Sequence, residues 1–147
     1  MTLKEQLTNA MKTAMKARDN LRLSAVRMVL SALKNREIDQ RKELDDQGVI
    51  EVISTLVKQR RESIRLYQEG KRPELAEKEE AELNILLTFL PEQMTPDEID
   101  QLVTMVIQEI GAQGVKDMGR VMKAVTPLTA GKADGKAVSD AVRSRLA

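Results

Sequence analysis

Apolar residues recur at steps of three and four along almost the whole chain, and no stretch reads as a strand. That period places side chains on one face of a helix. Leu3, Leu7, Ala10, Met11 and Ala14 predict a first helix from about Thr2 to Ala17. Asp19 is a natural cap for a second, from about Asn20 to Asp39, with Leu23, Val26, Leu30 and Leu33 as its stripe and Ala25, Val29 and Ala32 beside it. The two predict an antiparallel α-hairpin. Asp45-Asp46-Gln47-Gly48 is a turn and cap before a third helix that buries Val49, Val52, Ile53, Leu56, Ile64 and Tyr67. Gly70 is expected to end it, where a left-handed residue is wanted. Pro73 suits the first turn of a fourth helix and Glu74 the positive end of its dipole. Ala76, Leu83, Leu86, Leu87 and Leu90 continue the core, and Pro91 stops that helix.

Thr95-Pro96-Asp97-Glu98 combines a capping box with a proline at the first helical position, so Pro91 to Thr95 reads as a short linker. A fifth helix follows with Ile99, Leu102, Val103, Val106 and Ile110 on one face, ended by Gly111. A sixth, from about Lys116 to Val125, buries Met118, Val121, Met122 and Val125, and Pro127 is expected to break it. A seventh buries Val138, Ala141, Val142 and Leu146. The predicted fold is all-α: an N-terminal four-helix unit over residues 1–92 and a small three-helix C-terminal domain over residues 93–147.

Composition narrows the chemistry. Tyr67 and Phe89 are the only aromatic residues, so the core is expected to be built from Leu, Ile, Val, Ala and the eight methionines. With no cysteine there is no disulfide, thiolate zinc site or cysteine nucleophile. With no histidine, the commonest general base and metal ligand are missing and no Ser-His-Asp arrangement is possible. Neither a Gly-x-x-x-x-Gly-Lys-Ser/Thr phosphate loop nor a Gly-x-Ser-x-Gly elbow occurs. Glu77, Glu79, Glu80 and Glu82 lack the company of a metal or acid–base site and read as a solvated or ion-paired helix face. No catalytic residue, metal or cofactor is therefore expected. The charged, amphipathic start is unlike a signal peptide, and no apolar run approaches the roughly 20 residues of a membrane span. A soluble, cytoplasmic protein without a membrane partner is expected.

Charge is distributed unevenly: residues 1–42 carry a net +6, residues 43–115 a net −9 and residues 116–147 a net +4. Basic ends around an acidic middle suit a polyanion, or equally attract one another within the fold. The C-terminal basic residues cluster at two predicted helix openings, Asp117-Met118-Gly119-Arg120-Val121-Met122-Lys123 and Gly131-Lys132-Ala133-Asp134-Gly135-Lys136. Unpaired N–H groups and the macrodipole make a helix start receptive to phosphate, glycine lets a backbone come close, and lysine or arginine adds charge. The plainer alternative stands beside it: Asp134 caps the last helix, and Gly119 permits a close helix crossing. Lys58, Arg60, Arg61 and Arg65 make the third helix's second half basic, a possible extension of a phosphate-tracking surface. Without aromatic stacking residues, recognition would be of folded RNA by backbone and shape.

These two motifs, with Pro127 between them, resemble the GatB/YqeY signature. Leu33-Lys34-Asn35-Arg36-Glu37-Ile38 and Leu90-Pro91-Glu92-Gln93 resemble the YqeY members, so the likeness covers nearly the whole chain. It implies an all-helical fold with a small three-helix C-terminal domain. It also implies kinship with the tail of the B subunit of glutamine-dependent aspartyl/glutamyl-tRNA amidotransferase, which helps hold the tRNA body while other domains catalyse. The carbon–nitrogen ligase label, with glutamine as amido donor, attaches to the family, while this chain lacks both the ATP-using and the amidase domains. Carried over by position, Arg120, Lys123, Lys132 and Lys136 are the basic candidates for RNA contact, and Gly119, Gly131 and Gly135 those for close approach. Between Pro127 and Gly131 the family often has lysines where this chain has Leu128-Thr129-Ala130, a loss of phosphate-binding charge. The implied partner is tRNA or another structured RNA, with amidotransferase subunits as a further possibility. A protein–protein adaptor is the rival reading, since short amphipathic helices rich in methionine also suit a partner's groove.

Overall fold

The computed structural model describes residues 1–147. It is all-helical, with seven α-helices, one 3-10 turn and no strand. The chain divides into two compact units, Met1–Leu90 and Pro91–Ala147.

The first unit holds α1 (Leu3–Ala17), α2 (Asn20–Gln40), α3 (Asp46–Glu69) and α4 (Pro73–Leu87). Its helix starts are set locally. Thr2 and Glu5 form a reciprocal capping box on α1, Asp19 accepts from the Arg22 amide at 3.1 Å, and Asp45 accepts from the Gly48 amide at 2.9 Å. The core joins Leu3 and Leu7 of α1, Val26, Val29 and Leu33 of α2, Val49, Val52, Ile53 and Val57 of α3, and Leu86 of α4. In the middle of α3 Val57 is buried, while the expected Leu56 packs against the same core partly buried. Full burial of each such side chain is worth about 1.5–3 kcal/mol.

Polar contacts fix how these helices meet. Glu37 accepts from Lys4 Nζ at 2.7 Å and from the Leu44 amide at 2.8 Å, tying α1 and the α2–α3 turn to one carboxylate. Those two bonds, the Lys4 one first, hold the Glu37 carboxyl below its ordinary pKa and the Lys4 bond raises the lysine's. Asp46 accepts from the Leu3 amide at 2.9 Å, satisfying an orphan donor at the start of α1.

Two expectations in this unit need correction. Gly70 closes α3 with an ordinary φ of −79°, and the left-handed residue is Lys71 at φ 57°. The chain reverses one residue later than expected because the Arg72 amide reaches back to Tyr67 O at 2.8 Å. Arg60, offered above as part of an RNA-facing surface, is occupied. Its Nε lies 3.1 Å from Glu79 Oε2 and 2.9 Å from Glu82 Oε2, and its Nη2 lies 2.6 Å from Met28 Sδ. The attraction to Glu79 is Coulombic, since neither Arg60 Nε nor Glu79 Oε2 makes an aligned hydrogen bond. Arg65 is likewise drawn to Glu62 and Glu69 on its own helix.

The second unit holds α5 (Pro96–Ile110), the 3-10 turn Val115–Asp117, α6 (Met118–Thr129) and α7 (Gly135–Leu146). The Thr95–Glu98 capping box is present, and Gly111 adopts φ 73° to end α5. Ile99, Val103 and Val106 pack against Val121 and Val125 of α6 and Val138, Val142 and Leu146 of α7. The expected break at Pro127 does not occur, and α6 runs through the proline to Thr129. Proline's fixed φ suits a helix, so the cost is the bond its missing N–H would have made to Lys123 O and the crowding of its ring against that carbonyl. Thr126 Oγ1 bonds Met122 O at 2.7 Å and Thr129 Oγ1 bonds Val125 O at 3.2 Å, and Thr129 is buried by the extra turn. Pro91–Thr95, expected as a linker, is bonded into this unit: the Met94 amide donates to Lys132 O at 2.8 Å.

Candidate nucleic-acid interface

The two predicted helix openings lie at opposite ends of α6. Eleven residues at 1.5 Å each separate the start of α6 from its last residue by roughly 16 Å, so they do not converge on one phosphate.

The first opening is largely filled from within. The 3-10 turn uses the Asp117 amide, which bonds Gly114 O at 2.9 Å, and the Met118 amide, which bonds Val115 O. Asp117 Oδ2 accepts from the Gln113 amide at 2.9 Å, and that bond, with Arg120 nearby, holds its carboxyl below the usual aspartate range. Arg120 bridges Asp117 Oδ1 at 3.3 Å and Ile110 O at 3.1 Å, so its guanidinium closes the C-terminal end of α5. Gly119 has no left-handed φ, and a Cβ there would meet nothing within 4 Å. Hence it does not serve a close helix crossing within the chain. Lys123 is exposed one turn further along the face of α6 that carries Gly119.

The second opening is built differently. Gly131 turns the chain at φ 74°, a conformation that favours glycine. The Lys132 and Ala133 amides both donate to Thr129 O, at 2.9 and 3.1 Å, and Asp134 accepts from the Lys136 amide at 3.4 Å to cap α7. Gln93 Nε2 donates to Gly131 O at 2.8 Å and to Pro91 O at 2.9 Å. Together with the Met94–Lys132 bond, this stitches the segment before α5 to the glycine loop. Lys132, Gly135 and Lys136 are exposed, and a Cβ on Gly135 would meet nothing within 4 Å. Gln93 was not singled out from sequence; its motif was visible, but a side chain binding a carbonyl 38 residues away leaves no local signal. Beside the loop is an open depression of about 520 Å³ between Pro91, Met94, Leu102, Leu128 and Lys132.

A family profile described as Yqey-like protein matches residues 4–146. Among curated proteins, the chain is similar to altered inheritance of mitochondria protein 41 of Kluyveromyces lactis, 39% identical over 108 residues, covering 71% of this chain and 58% of the relative. The protein of the same name in Lachancea thermotolerans is 36% identical over 107 residues, 71% of this chain and 57% of the relative. That of Saccharomyces cerevisiae is 34% identical over 95 residues, 64% of this chain and 51% of the relative. The chain thus spans under three fifths of the length of these relatives. All three are named as mitochondrial, which overturns the cytoplasmic assignment. The absence of cysteine and of long apolar runs, on which it rested, does not distinguish one aqueous compartment from another.

Proposed function

The chain belongs to the Yqey-like protein family, and from that premise we propose that it is a non-catalytic accessory protein docking on structured RNA, tRNA foremost. The docking element is the start of α7 and its loop. One observation carries the reading: a fixed, glycine-flanked helix start presents exposed Lys132 and Lys136 beside Gly135, where a Cβ would meet nothing within 4 Å beyond its chain neighbours. The two ammonium groups suit a phosphate at the positive end of α7, although the Lys136 amide is already capped by Asp134. Lys123 extends the charge along α6, whereas Arg120 acts mainly within the fold. In this reading the four-helix and three-helix units are separate domains, and the kinship with the amidotransferase tail is one of tRNA holding without transamidation. The test is binding of bulk folded tRNA across a salt series, wild type against Lys132→Ala/Lys136→Ala. Steeply salt-dependent binding that the double variant loses supports docking; a flat salt response overturns it.

The half-exposed Leu128 beside Met94 and Leu102 supports a second reading, a protein partner seated in the depression. A partner capture that survives nuclease and Lys132→Glu/Lys136→Glu, but not Leu128→Glu, would favour it.

A further inference from the structure

Between Glu5 and Glu37 the only carboxylate is Asp19, and that residue caps α2. The four carboxylates of the α1–α2 hairpin therefore lie at its ends and its turn, Glu5, Asp19, Glu37 and Asp39, and the middle of both helices has none. Glu37, the next acidic residue, is engaged by Lys4 and the Leu44 amide. On α2 Arg22 lies over the Phe89 ring, Arg36 is half-buried, and Asp39 is exposed near the C-terminal end. The exposed cations Arg27 and Lys34 share one face. Asn20, Ser24, Arg27, Ser31, Lys34, Ile38 and Arg41 succeed one another at three- and four-residue steps, and every one is exposed. Arg27 and Lys34 stand seven residues apart on the helix, about 10 Å along its axis, and Arg41 follows just past its last residue, Gln40. Ser31 lies between Arg27 and Lys34, Ser24 one turn before Arg27, Asn35 beside Lys34, and Lys42 adds charge at the end. No ion pair neutralises Arg27 or Lys34, in contrast to Arg60 and Arg65 on α3.

Arg41 closes α2 in the left-handed conformation, φ 54°, where glycine is the ordinary residue and a side chain costs roughly 1 kcal/mol. Arg18 and Lys71 adopt the same conformation at φ 55° and 57°, so a basic side chain at a left-handed helix end recurs in this chain.

We propose that this face of α2 is a second RNA-docking surface, fitted to the shallow minor groove of an A-form duplex. The three cations meet phosphates, and the serine hydroxyls and asparagine amides reach 2′-hydroxyls, which both donate and accept. A wide, shallow groove admits a straight helix edge, whereas the deep major groove of A-form RNA does not. A membrane surface suits the face less well: Ile38 is its one exposed large apolar residue, too little to enter a bilayer. The proposal shares with the preceding section only the class of ligand, and it concerns the other unit.

The test uses the full chain, a blunt RNA duplex of about 16 base pairs, the DNA duplex of the same sequence, and folded tRNA, each titrated across a salt series. Wild type is expected to bind the RNA duplex in preference to the DNA. Arg27→Gln/Lys34→Gln/Arg41→Gln should weaken duplex binding at least tenfold at low salt and lower the salt slope by about two to three, the loss of three phosphate contacts. Ser24→Ala/Ser31→Ala, which removes no charge, should shrink the preference for RNA over DNA. A control on the same unit, Lys71→Gln/Arg72→Gln/Lys78→Gln, should leave duplex binding as in wild type. Helical circular dichroism should be unchanged in all of them, the sites being exposed. The proposal is overturned if wild type fails to bind the duplex, if the α2 triple variant binds like wild type, or if the control loses as much. Loss of binding to phosphatidylglycerol vesicles without loss of duplex binding would also overturn it, in favour of a membrane. Lys132→Ala/Lys136→Ala separates the two ideas, since it should spare the duplex and reduce tRNA binding alone.

Discussion

Gln93→Ala removes one side-chain nitrogen that serves two carbonyls, Gly131 O at 2.8 Å and Pro91 O at 2.9 Å. A hydrogen bond of this kind contributes about 0.5–1.5 kcal/mol net, and because the site is only partly buried, water will satisfy the exposed carbonyls in part. The loss should come to about 1–2 kcal/mol, felt locally rather than across the whole chain, or roughly a tenfold change in the opening equilibrium of the loop. Native-state hydrogen exchange at the Lys132 and Ala133 amides reads this directly, since both bond Thr129 O within the stitched loop. Their protection should fall about tenfold while the core amides of α5 and α6 keep theirs. For tRNA, affinity should drop by a comparable factor with the salt slope unchanged, because the loop must be ordered on binding but no cation is lost. Gln93→Glu should do more harm, since a carboxylate cannot donate and faces two carbonyl dipoles. Undiminished protection at Lys132 and Ala133 in Gln93→Ala would refute the claim that this side chain holds the loop.

Pro127→Ala should stabilise the second unit by about 1–3 kcal/mol in urea unfolding, by restoring the bond to Lys123 O and relieving the ring's crowding against that carbonyl. Arg60→Ala should destabilise the first unit by about 2 kcal/mol, because Glu79 and Glu82 would be left half-buried without their common cation; an unchanged midpoint would show that water already screens them. Arg18, at φ 55° on the end of α1, is strained, so Arg18→Gly should raise the melting midpoint by an amount matching about 1 kcal/mol. Glu37 has a lowered folded-state pKa, so its contribution is full above the ordinary glutamate value and lost as pH falls through the folded one. Glu37→Gln should therefore flatten the acid limb of stability below about pH 4 and leave the slope near pH 7 as it was.

Most of the helices were legible because their information is local. Thr95 with Glu98, Asp19, Asp45 and Asp134 cap the helices they precede, and three- and four-residue steps locate the buried faces. The misses share a cause in contacts between residues distant in sequence. Pro127 reads as a breaker because local propensity says so, yet burial of Thr129 carries α6 through it. Arg60 looks like an exposed cation on α3, and only the approach of α4 shows it between two glutamates. The candidate interface was legible as composition but not as geometry. Glycine and lysine mark both ends of α6 alike, whereas Asp117 and Arg120 turn one end inward and Gln93 props the other.

The most direct test is the affinity of the full chain for folded tRNA from low to moderate salt, wild type beside Lys132→Ala/Lys136→Ala. Docking through the start of α7 predicts a steep fall with salt and, in the double variant, weaker binding with a slope shallower by about two. Equal affinity and equal slope for the two proteins, or no binding at low salt, would contradict RNA docking at this site and leave the depression beside Leu128 as the surface to pursue.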